Sequence, residues 1–284
     1  MRTVFLTVLA LLAFAGNSIL CRLALGTQSI DAGSFTLVRL LSGVVTLVII
    51  VALTRKTKIE SSGSWAGGFW LFAYAICFSY AYISLATGTG ALILFGAVQI
   101  SILGFQLFIG KRFSFLEWLG IALAIAGFAY LMLPSASQPS LIGFALMAFA
   151  GLSWGMYTLA GKGSKDPLAD TQANFMRTLP FAVVSAITLG IFAWPDTELT
   201  ERGLWLAIAS GSLASGLGYT LWYMALGGLS ATMAAILQLL VPVIAAIGGI
   251  LFMQEPMTLT LIFSALLILG GILLVFIGRD REPA

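Results

Sequence analysis

The sequence predicts an all-α integral membrane protein with ten transmembrane helices in two inverted five-helix repeats. Three observations carry this expectation. Composition is the first. Of 284 residues, 60% are hydrophobic and 9% charged, whereas a soluble domain has roughly 25% charged residues. The second is span length. Ten mostly apolar runs can be marked, each of about 18 residues or more, enough to cross a hydrocarbon core of about 30 Å as a helix. The third is internal similarity between the two halves of the chain.

The runs fall at 3–25, 33–54, 66–84, 89–109, 115–132, 140–161, 170–193, 203–225, 230–251 and 258–277. Strands of a lipid-embedded barrel alternate apolar and polar residues. These runs do not, so helices are expected. The first run lacks a small-x-small cleavage site followed by a soluble domain, and it is read as a mature helix. The loops are too short for a soluble domain.

Basic residues set the topology. With the N-terminus inside, the inside segments hold Arg2, Arg55, Lys56, Lys58, Lys111, Arg112, Lys162, Lys165, Arg279 and Arg281. The outside loops hold only Arg202. Excess Lys and Arg marks the cytoplasmic face, so both termini are expected in the cytoplasm. The +3 net charge reads as this topology signal, and no nucleic-acid partner is expected.

The internal match divides the chain at 134/135. "LLAFAGNS" (11–18) matches "LMAFAGLS" (146–153), and "YISLATGTGA" (82–91) matches "YMALGGLSAT" (223–232). Gly127 matches Gly270, and Arg39 matches Arg177. Five spans in each half force the second half to enter the membrane in the opposite sense. Inverted repeats are a recurrent design of secondary transporters, with the solute site near mid-membrane. Repeats 1–134 and 135–284 thus form one membrane domain.

Arg39 and Arg177 interrupt apolar runs, and arginine at the bilayer centre costs from about 2.5 to over 10 kcal/mol. Each lies early in its span, so its guanidinium is expected to reach back to the interface. A gating or solute-carboxylate role is the alternative. No Asp or Glu falls mid-span, so an uncharged hollow for neutral or zwitterionic solutes is expected.

Polar and aromatic residues at mid-depth nominate the lining: Asn17, Tyr82, Gln99, Trp154, Tyr157, Tyr223 and Gln238. Unpaired amides in hydrocarbon cost several kcal/mol, so Asn17, Gln99 and Gln238 must face protein or water. Aromatic rings can hold a solute ring or an ammonium. Trp65, Trp118, Trp194 and Trp205 suit the interfacial belt. Trp222 fits either role. Gly88, Gly90, Gly216, Gly218 and Pro242 are expected to absorb bending.

Catalysis is not expected. "GLSWG" (151–155) matches the nucleophile-elbow pattern, but it lies inside an apolar run and the chain has no histidine, so the base is missing. Gly151 and Gly155 suit close helix packing instead. The two cysteines, Cys21 and Cys77, lie in apolar surroundings. No metal or cofactor is expected.

"MQEPMTLTLIFSALLILGGILLVF" (253–276) resembles the ending of the drug/metabolite transporter superfamily, EamA type, in which a short E-P-x-T turn joins the last two helices. Here the turn is Glu255, Pro256, Met257 and Thr258. The arginine early in the second helix of each repeat and the ninth-helix Pro242 fit the same pattern, whereas Ser101 stands where a fourth-helix proline is usual. The branch it looks most like is the YddG-type amino-acid exporters. This resemblance implies a bacterial inner-membrane carrier that exports small metabolites, amino acids foremost, by alternating access. The bilayer and a small solute are then its partners, with oligomeric state left open. A nucleotide-sugar or other phosphorylated-metabolite carrier is the nearer alternative and a channel the more distant one.

Overall fold

The computed structural model describes residues 2–54, 63–110, 112–133, 138–161, 164, 166–193, 199–226, 228–229 and 237–280, without the side chains of 189–193, 223, 226, 279 and 280. The helices are α1 (Arg2–Leu25), α2 (Ala32–Thr54), α3 (Trp65–Tyr82), α4 (Thr87–Phe108), α5 (Phe115–Leu131), α6 (Leu141–Ala160), α7 (Pro167–Ala193), α8, α9 (Leu240–Met253) and α10 (Leu259–Asp280). The helix α8 starts as Glu201–Ala209, widens into π-type turns over Ser210–Leu217, and resumes as Gly218–Leu226.

Short polar residues start several helices. The hydroxyls of Ser64, Ser140 and Thr200 accept the Gly67, Gly143 and Gly203 amides at the starts of α3, α6 and α8. At α5, Ser114 and Glu117 form a reciprocal capping box. Such caps satisfy amides that the helix itself leaves unpaired.

Among the described residues, six helices are long and apolar enough to cross a membrane, and α5 and α9 are shorter apolar ones. The ten full-length spans expected are thus not all present as such. α3 and α7 spend positions on Trp, Tyr and polar residues, and residues 230–236 of the expected ninth span lie outside the described residues. Helical backbone at 237–238 breaks at Leu239 before α9 begins. Pro242 has no N–H for the Gln238 carbonyl. The basic residues Arg55, Lys56, Lys58, Lys111, Lys162, Lys165 and Arg281 lie outside the described residues, as does Trp194.

Packing follows the small residues. α5 lies along α10, where Gly120 and Gly271 each leave room for the other's carbonyl. α6 packs on α3 and α4, with Gly151 against the Leu94 carbonyl and Gly155 against the Ser101 hydroxyl. α1 rests on α8 and α9, and α2 on α7 and the π segment of α8.

Polarity runs outward to inward in the sense a bilayer requires. Leu53, Phe108, Leu251 and Leu266 are exposed, while Asn17, Thr36, Arg39, Thr178 and Ser215 are buried. An exposed aliphatic jacket around polar interior groups suits hydrocarbon surroundings.

Candidate functional site: a polar-aromatic hollow at mid-depth

The interior between α1, α3, α4, α6 and α8 is aromatic. Trp154 on α6 faces Tyr74 on α3 (centroids 4.9 Å apart) and Tyr219 on α8 (4.8 Å). Phe14 on α1 meets Trp154, Tyr219 and Trp222 edge-on. These rings enclose a hollow of about 20 Å³, room for roughly one water. Phe14, Asn17, Ser18, Tyr74, Phe78, Leu94, Phe95, Trp154 and Tyr219 line it.

A chain of hydrogen bonds passes beside the hollow and ties four helices together. The Ser210 hydroxyl donates to Asn17 Oδ1 (2.6 Å), and Asn17 Nδ2 donates to the Tyr74 hydroxyl oxygen (3.1 Å). Arg39 Nη2 donates to that same oxygen (3.1 Å), and Arg39 Nε donates to Ser215 Oγ (3.4 Å). Ser210 and Ser215 both belong to the π segment of α8. Wide π turns recur at functional sites because they re-aim side chains. Gly211, in the same segment, lets α8 press on α2: a Cβ there would collide with the Arg39 carbonyl and the Ser42 hydroxyl.

Arg39 therefore does not reach back to the interface. It is 2% exposed, and its guanidinium carbon lies 5.2 Å from the Tyr74 ring centroid and 5.0 Å from that of Phe78. Tyr74 and Ser215 sit near the middles of α3 and α8, so the charge is central in depth. The hollow expected to be uncharged has a cation one layer behind its wall. Two ring faces contribute about 0.5–2 kcal/mol each and charge-assisted hydrogen bonds about 1.5–3 kcal/mol each. Such terms oppose a desolvation cost of several kcal/mol.

Arg177 behaves differently. It is half-buried and packs against Gly63 and Gly68 at the start of α3. Beside it Asp170 Oδ1 accepts the Gly63 amide and Asn174 Oδ1 accepts the Ser64 amide.

Of the residues nominated from sequence, Asn17 and Trp154 line the hollow. Tyr157 is buried behind Trp154 at 5.5 Å. Tyr82 is buried elsewhere: its hydroxyl donates to the Thr87 carbonyl (3.2 Å), and its ring lies where Gly90 leaves space. Gln99 is buried on α4, Gln238 is half-buried before α9, and the Tyr223 side chain is outside the described residues. Gly216 lies in the π segment and Gly218 at its end. Gly88 and Pro242 line a separate crevice of about 310 Å³ between α4, α9 and α10. Sequence reading missed Tyr74, Tyr219, Ser210 and Ser215.

One end of the bundle is tied shut. Arg22, at the end of α1, pairs with Glu255 (Nε to Oε1, 3.3 Å) in the α9–α10 turn. Its Nη1 donates to the carbonyls of Tyr82 and Ile83 (3.0 Å each), and Glu255 Oε2 accepts the Thr87 amide (2.8 Å). The Ile30–Leu199 bridge and two hydrogen bonds from Thr200 to the Ser29 carbonyl join the α1–α2 and α7–α8 loops.

Comparisons with known proteins agree on class. Residues 141–277 match the model of the EamA-like transporter family. The chain is 48% identical over 283 residues to an uncharacterized protein of Pseudomonas aeruginosa, covering 100% of this chain and 97% of that one. It is 23% identical over 259 residues to the uncharacterized transporter YoaV of Bacillus subtilis, covering 87% and 88%. Over 173 residues it is 26% identical to the threonine/homoserine exporter RhtA of Salmonella typhimurium, covering 59% and 57%. A solved crystal structure superposes with a TM-score of 0.64 at 17% identity, covering 96% of this chain and 99% of that one; this likeness concerns the fold.

Proposed function

We propose, from the match of residues 141–277 to the EamA-like transporter family, that the chain is a secondary carrier of that family, exporting small metabolites, amino acids foremost, by alternating access across the bacterial inner membrane. The observation that carries this reading is the polar-aromatic hollow itself, which at about 20 Å³ must widen in another state to take a solute. It is concave, aromatic, edged by convergent polar groups, and placed where α1, α3, α4, α6 and α8 meet near their middles, the chemical setting expected of a small-molecule site.

Two further features support a carrier over a channel. Rings crowd the hollow down to about 20 Å³, and the Arg22–Glu255 cluster ties α1 to the α9–α10 turn at one end. The packing also has an exchange symmetry. If α1–α5 are swapped for α6–α10, the main contacts map onto one another: α3 with α6 becomes α8 with α1, α4 with α6 becomes α9 with α1, and α5 with α10 maps onto itself. That pattern suits inverted repeats rocking about a fixed site. In this reading α3, α5, α7 and α9 complete ten crossings, with both termini cytoplasmic. The amino-acid class draws on the resemblance to RhtA.

Counterflow tests the proposal. Liposomes holding the purified chain are loaded with unlabelled L-threonine or L-phenylalanine and given a labelled trace outside. Transient uptake above equilibrium is expected. Flux without stimulation by internal solute would instead mean a pore. An absolute requirement for an imposed pH gradient would show proton coupling, which this reading does not include.

A further inference from the structure

The buried charge of Arg39 lacks a matching anion. Among the described residues no carboxylate pairs with it, and its Nη1 is buried without a hydrogen-bond partner. Its partners are a phenol, a hydroxyl and two ring faces, all neutral. Isolated buried cations are strongly disfavoured, and proteins pair them. The charge is also placed with respect to the hollow. It bonds the hydroxyl of one wall residue, Tyr74, and lies over the ring of another, Phe78.

We propose that Arg39 is the carboxylate-binding subsite of the central hollow, and that the transported solutes are monocarboxylates whose apolar or aromatic remainder lies against Trp154 and Tyr219. In the loaded state Nη1–H donates to one carboxylate oxygen, and Nη2–H exchanges the Tyr74 hydroxyl for the other. The guanidinium fork matches a carboxylate in this bidentate way. A single cation balances a single negative charge. A phosphate dianion would need more, and Arg22 is already paired with Glu255 while Arg177 stands at the start of α3. This inference rests on the carrier reading above.

The test uses the full chain in liposomes, with counterflow of labelled L-phenylalanine or L-threonine. The competitors are 3-phenylpropionate, L-phenylalaninamide, L-threoninamide and inorganic phosphate. The expected result is competition by the carboxylate and none by the amides or phosphate. Arg39→Gln should lower exchange at least 30-fold, and Arg39→Lys should keep a measurable part. Purified Arg39→Gln should melt no lower than wild type without solute, because it removes an unpaired buried charge, and it should lose the solute-induced rise in Tm.

The carboxylate subsite is overturned, with the carrier reading intact, if the amides compete as well as the acids or Arg39→Gln exchanges normally. Competition by phosphate in place of carboxylates overturns it too. A large fall in solute-free Tm for both Arg39→Gln and Arg39→Lys, with no solute-induced shift in wild type, assigns Arg39 a structural role. If wild type exchanges neither amino acid and no carboxylate shifts its Tm, the carrier reading for such solutes fails, and this inference with it.

Discussion

Two hollows among the described residues invite comparison, and the polar groups gather at the smaller one. The crevice between α4, α9 and α10 holds about 310 Å³ and is lined by apolar residues such as Leu92, Pro242, Ile247 and Leu266. Several of these, Ile247 and Leu266 among them, are also exposed at the surface. The central hollow holds about 20 Å³ yet gathers an asparagine, two tyrosines and a tryptophan, with a guanidinium behind them. Volume alone therefore favours the crevice, and polarity favours the central hollow. What separates the two is the energy of burying polar groups: a polar cluster at mid-membrane is costly and persists where something uses it, whereas an apolar crevice on the outside costs nothing beyond lost packing.

The sharpest way to break this comparison is to remove one wall from the central hollow. Trp154→Ala deletes the ring that faces Tyr74, Tyr219 and Phe14. A loss of about 2 kcal/mol is expected, roughly 30-fold in half-saturating solute concentration by counterflow. Asn17→Leu should weaken solute binding about tenfold, since it leaves Ser210 without its acceptor and takes one of two donors from the Tyr74 hydroxyl at a cost near 1.5 kcal/mol.

Arg22→Gln tests the sealed end. Partly buried ion pairs at an edge contribute little, about 1 kcal/mol. In a Leu85→Cys variant, whose site is buried close to Tyr82 and Ile83, labelling by an impermeant maleimide should therefore rise about fivefold. The smallest effect belongs to the other hollow. Ala265→Phe adds a ring to the outer crevice, and counterflow should stay within about twofold of wild type, since the added bulk can extend into lipid. A large loss there would move the solute path to α4, α9 and α10.

Much of the fold is legible because hydrophobic length is a one-dimensional signal. The edges of α1, α2 and α6 fall within two residues of the runs read from sequence. Asn17 and Trp154 were legible for the same reason, being a polar and a large aromatic residue far from either end of a span. Tyr74 was not: α3 offers Tyr74, Tyr80 and Tyr82, and only packing decides which ring turns inward. The repeat match favoured Tyr82, whose hydroxyl is spent on the Thr87 carbonyl. The π segment reads in sequence as small residues, "SGSLASGL", which also suit plain close packing. Arg39 was misplaced because distance to the interface was weighed and available partners were not. A phenol on α3 and a hydroxyl on α8 lie more than thirty residues away along the chain, and neither announces itself. Its counterpart Arg177 has the Asp170 and Asn174 side chains close by at the start of α3.

The most direct measurement is an experimental structure of the full chain in lipid nanodiscs with a solute that it exchanges. The account predicts density in the hollow between α1, α3, α4, α6 and α8, with a carboxylate within hydrogen-bonding distance of Arg39 Nη1 and the solute body against Trp154. Solute density in the α4–α9–α10 crevice instead, with the central rings packed as they are here, would contradict it.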